Sequence, residues 1–129
     1  MRTLLLALVL AACADQKPTP APPPAVQLEG TQWVSSAGGL NAPTIAFSGS
    51  RANGFTGCNL FFAQVEQNGP MLRFSAVGTT RRACSPDLTE IERAFVAQLE
   101  STNSAHIDGD VLVLQDVNRR ELARFTRQP

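Results

Sequence analysis

Residues 59–79 read NLFFAQVEQNGPMLRFSAVGT, and this stretch decides the fold class. The first half alternates in polarity, so that Phe61, Ala63 and Val65 share one face of a predicted strand. Asn68-Gly69 follows, a pair that favours a tight hairpin because both residues accept positive φ angles. The second half returns as another alternating strand. The pattern therefore predicts an antiparallel β-hairpin at the centre of the chain.

Further short strands are predicted on both sides of this hairpin. They cover residues 31–35, 44–47 and 51–55 before it, and residues 105–107, 111–115 and 121–127 after it. Asp108-Gly109 gives a second hairpin signal between two of them. An antiparallel sheet of six to eight strands tends to curl. We expect a single α+β domain, in which a curved, partly open, barrel-like sheet packs around one helix.

The helix follows the central hairpin. Ser85 can cap it and Pro86 suits its first position, where a missing N–H costs nothing. Its apolar residues recur at helical spacing and form one stripe: Leu88, Ile91, Phe95 and Leu99. Glu92 is assigned to another face. We expect the stripe to pack in the core, with Phe95 near Phe74 and the strand at 111–114; a partner-binding face is the alternative.

Length and charge limit the functions that the chain can have. At 129 residues it has room for one domain. Eleven basic and eleven acidic side chains give a net charge of zero. Nucleic-acid binding needs a basic surface to neutralise phosphates, so this balance argues against a nucleic-acid partner.

The N-terminus resembles a bacterial lipoprotein signal. Residues 1–12 contain Arg2 and then a short apolar run, which is too short to span a bilayer. They end in Leu-Ala-Ala before Cys13, a pattern similar to the lipobox. We expect cleavage before Cys13 and lipidation of its thiol, with several acyl chains giving stable anchoring. An ordinary signal peptide that leaves Cys13 as a chance thiol is the alternative.

Residues 13–27 are predicted to link the lipid to the folded domain at residues 28–129. Five of the nine prolines lie in this segment. A proline-rich run favours the polyproline II conformation at roughly 3.1 Å per residue, so it could hold the domain up to roughly 40 Å from the membrane. The alternative is a disordered tail with no length requirement. We expect a location in the cell envelope, on the outer membrane facing the periplasm.

Two cysteines remain once lipid takes Cys13. Disulfides persist in exported proteins, so Cys58 and Cys84 are predicted to form a bridge. Two free structural thiols are the alternative. Metal binding or thiol catalysis is the least favoured interpretation, because His106 is the only histidine that could join them. We therefore expect neither a metal nor a cofactor.

Three motifs together resemble the META domain, also called the HslJ-like domain. They are Leu28-Glu29-Gly30-Thr31-Gln32-Trp33, Gly57-Cys58-Asn59, and Thr80-Arg81-Arg82-Ala83-Cys84. The later run Gly109 to Leu114 also fits the family's Gly-x-x-Leu-x-Leu strand. The resemblance covers residues 28 to about 127. It implies an envelope location and a role in stress or drug tolerance, and it implies no catalytic residues.

Within these motifs, a few side chains could act in binding. Asn59 is expected to bond neighbouring backbone, and recognition is the alternative. Thr80 is expected to play a similar local role. Arg81 and Arg82 precede the partly positive helix N-terminus and could form an anion site; two solvated arginines are the alternative.

The sequence leaves three functions open. The first is a non-enzymatic envelope module that binds an unidentified envelope protein or serves envelope stress and maintenance. The second is a small-ligand carrier, because a curved sheet can enclose a cavity. The third is an enzyme, for which no paired-carboxylate, triad or phosphate-loop pattern is present. We expect the first.

Overall fold

The computed structural model describes residues 13–20, 26–37 and 39–129. The signal peptide predicted at residues 1–12 lies outside the described residues, as do residues 21–25 of the predicted linker. Residues 13–20, which include Cys13, are exposed. No helix in the described part of the chain has the length and apolar character needed to cross a bilayer.

The described residues form eight strands, one α-helix and one 3-10 turn. In chain order they are β1 (Gln32–Ser35), the 3-10 turn (Gly39–Asn41), β2 (Thr44–Ser48), β3 (Arg51–Phe55), β4 (Leu60–Asn68), β5 (Met71–Thr79), α1 (Pro86–Ser101), β6 (Ser104–Asp108), β7 (Val111–Gln115) and β8 (Glu121–Arg127). This confirms the predicted fold class, a small domain with a curved antiparallel sheet and one helix.

The strands pair in chain order and the ring closes on itself. β1 also pairs antiparallel with β8, so that Trp33 lies opposite Arg127 and Ser35 opposite Phe125. The expectation of a partly open sheet is therefore corrected. The right-handed twist of each strand accumulates over eight strands and brings the last one against the first. The ring is weakest between β5 and β6, which are in register only at Met71 and Ser104.

Large apolar side chains fill the space inside the ring. The largest that are fully buried are Trp33, Phe61, Phe125, Ile45, Leu72, Leu99, Leu112 and Leu114. Core packing already begins at Val26, which is 8% exposed and whose carbonyl accepts a hydrogen bond from the Gln67 amide.

The helix presents its predicted stripe to this core. Phe95 and Leu99 are buried, while Leu88 and Ile91 are half-buried. The Phe95 ring makes edge-on contacts with Phe61 at 5.3 Å and Phe125 at 6.2 Å between centroids.

The helix therefore contributes to the core as predicted, in one cluster with the expected Phe74, and the rings that pair with Phe95 are those of Phe61 and Phe125. Ser85 occupies the cap position, although its hydroxyl makes no capping hydrogen bond.

The topology gives the ring two different ends. Successive connections in an antiparallel meander alternate between the two ends of the sheet. The tight turns at residues 49–50, 69–70 and 109–110 lie at one end, where the chain also enters β1. We call this the entry end. The β3–β4 connection and the β5–α1 connection lie at the opposite end, where α1 begins, which we call the helix end.

Candidate functional site

Two of the three family-like motifs meet at the helix end. Gly57-Cys58-Asn59 forms the connection from β3 to β4, and Thr80 to Cys84 forms the connection from β5 to α1. The two connections are joined by a disulfide between Cys58 and Cys84, with their Cα atoms 6.0 Å apart. This confirms the predicted bridge.

Asn59 is the centre of this site and is 6% exposed. Its side-chain oxygen accepts hydrogen bonds from the Arg82 backbone N–H at 2.6 Å and from the Thr80 hydroxyl at 3.2 Å. Its side-chain nitrogen donates to the Glu92 carboxylate at 3.0 Å and to the Arg82 carbonyl at 3.4 Å. One amide therefore ties together β4, the loop before the helix, and the helix itself.

The carboxylate of Glu92 reaches this site from the second turn of α1. It accepts hydrogen bonds from the Thr56 hydroxyl at 2.5 Å and from the Asn59 backbone N–H at 3.1 Å. The Thr56 hydroxyl in turn accepts from the Asn59 N–H at 2.8 Å and the Cys58 N–H at 3.1 Å. Charge-assisted bonds of this kind are roughly twice as strong as neutral ones.

The assignment of Glu92 to a face away from the stripe is wrong. Glu92 lies four residues after Leu88 and three before Phe95, which places it beside the apolar stripe of the helix. That spacing was readable in the sequence. The hydrogen-bond partners of Glu92 are not evident from the sequence, because Asn59 is 33 residues distant in the chain.

Thr80 has a structural role, but its partner Leu60 is 20 residues away in the chain, so the role is not the local one that the sequence predicted. Its backbone N–H donates to the Leu60 carbonyl at 3.0 Å, and its hydroxyl accepts from the Leu60 N–H at 3.1 Å. Asn59 also has a structural role, as predicted, but the backbone that its side chain bonds is that of Arg82, 23 residues away, and not its neighbours in the chain. Together they fix where β4 begins against the end of β5.

Arg81 and Arg82 have exposed side chains. The backbone of Arg82, and not its guanidinium, makes the bonds to Asn59. The anion site that we expected from these two arginines stays a prediction.

Trp33 lies apart from the site at the helix end. It is 0% exposed, and its indole N–H donates to the Thr31 hydroxyl at 2.7 Å. That hydroxyl donates to the Leu28 carbonyl at 2.5 Å, and the Arg127 guanidinium lies 4.6 Å from the indole ring centre. The first motif therefore fixes the chain where it enters the ring, and Arg127 of β8 covers Trp33 with a cation–π contact.

The described residues offer surface grooves outside the filled core. One of about 690 Å³ lies between β5 and the end of α1, and includes Arg73, Glu100 and Asp116. Another of about 530 Å³ contains His106 beside Gln115 and Arg119. No group of three or more metal-ligating side chains gathers among the residues described.

The chain matches one known family over most of its length. The family profile of the META domain matches residues 24–129. This protein belongs to the META domain family. The match confirms the resemblance that the three motifs carried, and it begins two residues before the buried Val26. No curated protein matches the chain significantly.

Solved structures share the fold of this META domain. An NMR structure of a protein from Burkholderia xenovorans superposes with a TM-score of 0.65 at 23% identity, covering 92% of this chain and 99% of that one. A second NMR structure gives a TM-score of 0.62 at 19% identity, covering 78% of this chain and 91% of the other. At these identities the likeness concerns the fold.

Proposed function

We propose that this META domain protein is an exported, lipid-anchored envelope protein that acts by binding another protein and not by catalysis. In this proposal, Cys13 carries the lipid and the domain faces the periplasm from the outer membrane. Envelope maintenance under stress is the role that the family resemblance favours. One observation carries the proposal: the chain enters the fold at one end of the ring, and two of the family motifs lie at the other end.

The point where the chain enters the fold and the family motifs of the helix end lie at opposite ends of the ring. The chain from Cys13 reaches the fold at Val26 and Leu28, which are buried where the chain enters β1. Gly57-Cys58-Asn59 lies across the length of β4, a nine-residue strand that spans about 27 Å. A tethered domain of this shape can hold its helix end away from the membrane, where a partner can reach it.

The polar groups of the site favour a scaffold over an enzyme. Both side-chain atoms of Asn59, the Thr56 hydroxyl and the Glu92 carboxylate bond to one another or to backbone. A general acid, base or nucleophile needs a reacting atom within its reach. Here the groups with that chemistry hold two loops and a helix together.

A small-ligand carrier has less support. A carrier needs a concave, largely apolar cavity. Trp33, Phe61 and Phe125 fill the inside of the ring, and each is at most 1% exposed. The grooves described above lie on the surface and include several charged side chains.

The lipid anchor is tested by replacing its attachment atom. Mass spectrometry of the mature protein should find an N-terminal Cys13 that carries acyl chains. Cys13→Ser should abolish lipidation and leave the signal peptide uncut. Arg2-containing precursor should accumulate in that variant. A mature wild-type protein that begins elsewhere, or that lacks acyl chains, would overturn the anchored part of the proposal.

A further inference from the structure

An apolar strip on the outer face of the ring is not explained by the fold. Of the large apolar side chains that are exposed in the described residues, Leu60 and Phe62 stand on the same face of one strand, at 59% and 55% exposure. Phe55 lies directly opposite Leu60 on β3 and is half-buried. We call Phe55, Leu60 and Phe62 the β3–β4 strip.

The Phe62 ring is held in place on this surface. Phe62 is paired with Gly78 on β5, and a Cβ atom at Gly78 would lie 2.4 Å from the Cε2 atom of the ring. The absence of a side chain at Gly78 therefore lets the ring lie against the neighbouring strand. A ring held in this way loses little conformational entropy when a partner covers it.

Arginines stand at both ends of the strip. Arg81 follows Thr80, whose backbone and hydroxyl bond to Leu60. At the other end, Arg51 lines a surface groove of about 370 Å³ together with Phe62, and it is the only charged residue of that lining. Arg51 pairs with Gln64, two residues beyond Phe62, so the charges bracket roughly 13 Å of strand.

We propose that the β3–β4 strip is the docking surface for a protein partner that presents an apolar side chain flanked by carboxylates. Aromatic residues and arginine are enriched where interfaces bind most strongly. Guanidinium groups bind carboxylates through paired hydrogen bonds and so fix the orientation of the partner. This inference rests on the proposed function and names its binding surface.

The strip fits a protein better than a lipid surface. The exposed amides of Asn53 and Gln64 stand beside Phe62 and Arg51 on the same face. Burying an amide against acyl chains costs free energy because no hydrogen-bond partner is present. A protein surface can supply those partners.

Site-specific photocrosslinking in living cells tests the proposal on the full-length, anchored chain. p-Benzoylphenylalanine replaces Phe62, and in separate strains it replaces Glu66 or Val117, which are exposed positions outside the strip. Phe62 should give one defined protein adduct that is weak or absent at the two control positions. Mass spectrometry of the adduct should place the crosslink next to Asp or Glu residues of the partner.

Charge reversal supplies the second measurement. Arg51→Glu, or the pair Arg81→Glu and Arg82→Glu, should lower the adduct yield at least about fivefold, because like charges then face each other. Arg120→Glu, an exposed change elsewhere, is the matched control and should leave the yield unchanged.

The outcomes separate this inference from the proposed function. A chain that is absent from the membrane fraction of these cells contradicts the anchor itself. A membrane-bound chain that gives protein adducts only from Val117 or Glu66 leaves the binding function intact and overturns the strip. An adduct with lipid alone, no adduct at all from Phe62, or an adduct that Arg51→Glu leaves unchanged also overturns it.

Discussion

Glu92 and Asn59 are joined by hydrogen bonds from both the backbone and the side chain of the asparagine. The Glu92 carboxylate accepts from the Asn59 backbone N–H at 3.1 Å and from its side-chain amide at 3.0 Å. This relationship fixes the first half of α1 against the connection that leads into β4. It also explains why a polar residue borders the apolar stripe of the helix.

Removal of this carboxylate should destabilise the domain. Glu92→Ala removes the charged acceptor that the Asn59 amide and the Thr56 hydroxyl share, which should cost about 1–3 kcal/mol. The free energy of unfolding is measured by urea denaturation of a soluble chain that begins at Val26. Glu100→Ala, an exposed change on the same helix, should stay within about 0.5 kcal/mol of the wild type. Equal effects of the two changes would show that Glu92 is only a surface residue.

A double-mutant cycle should show that the two residues act as a pair. Asn59→Asp places a second carboxylate against Glu92 and removes a donor, at an expected cost of about 2–4 kcal/mol. Adding Glu92→Gln restores a donor between the two positions. The double variant should therefore be more stable than the sum of the single effects predicts, by at least about 1 kcal/mol. Additive effects would mean that the bonds described here do not couple the helix to the loop.

The sequence predicts those parts of the fold that depend on local pattern. Alternating polarity and Asn68-Gly69 predict the central hairpin, and both strands form around that turn. Helical spacing predicts α1, which runs from Pro86 to Ser101. Two cysteines remain if lipid takes Cys13, which predicts one disulfide, and that disulfide forms between Cys58 and Cys84.

Long-range contacts set the limit of that prediction. Closure of the ring depends on twist accumulated over every strand, and no local pattern shows that β1 will meet β8. The partners of Phe95 depend on where the helix crosses the ring, which selects Phe61 and Phe125. The carboxylate of the site was missed because its partners come from a distant segment, although its own position beside the stripe was visible.

The bridge between Cys58 and Cys84 should contribute substantially to stability. It closes a loop across 26 residues, which the chain-entropy relation values at roughly 3.5 kcal/mol. The double variant Cys58→Ser and Cys84→Ser should lose about that much, measured by urea unfolding. In an unlipidated soluble chain that begins at Cys13, Cys13→Ser is the matched control and should leave the free energy of unfolding unchanged, because Cys13 is exposed and outside the fold. Reaction of both core thiols with a labelling reagent in the denatured, unreduced wild type would refute the bridge.

Phe95 should be necessary for folding and not only for binding. It is 2% exposed and its ring lies between those of Phe61 and Phe125. Phe95→Ala should cost about 3–5 kcal/mol through lost burial and the cavity that remains. Arg93→Ala, on the exposed side of the same helix, should have little effect. A thermal melt distinguishes a role in folding from a role in binding. An unchanged melting temperature for Phe95→Ala would mean that the helix stripe is a partner surface.

Gly57 should be difficult to replace, for two reasons that a paired experiment separates. Its φ angle is +104°, and a Cβ atom there would lie 2.5 Å from the Cγ2 atom of Ile91. Gly69 also has a positive φ, +58°, but a Cβ atom there meets nothing within 4 Å. Gly69→Ala therefore measures the cost of an alanine at an ordinary left-handed φ angle without a collision, expected at about 1 kcal/mol.

Gly57→Ala adds the collision with the helix and should cost at least about 2 kcal/mol more than Gly69→Ala in urea unfolding. Part of that difference should disappear when both glycine variants are compared in an Ile91→Ala background, since the colliding Cγ2 atom is then gone. A difference that persists in full would assign the requirement for Gly57 to its backbone angle. A difference that shrinks in the Ile91→Ala background would instead show that the glycine is needed because α1 packs closely against the Gly57 turn.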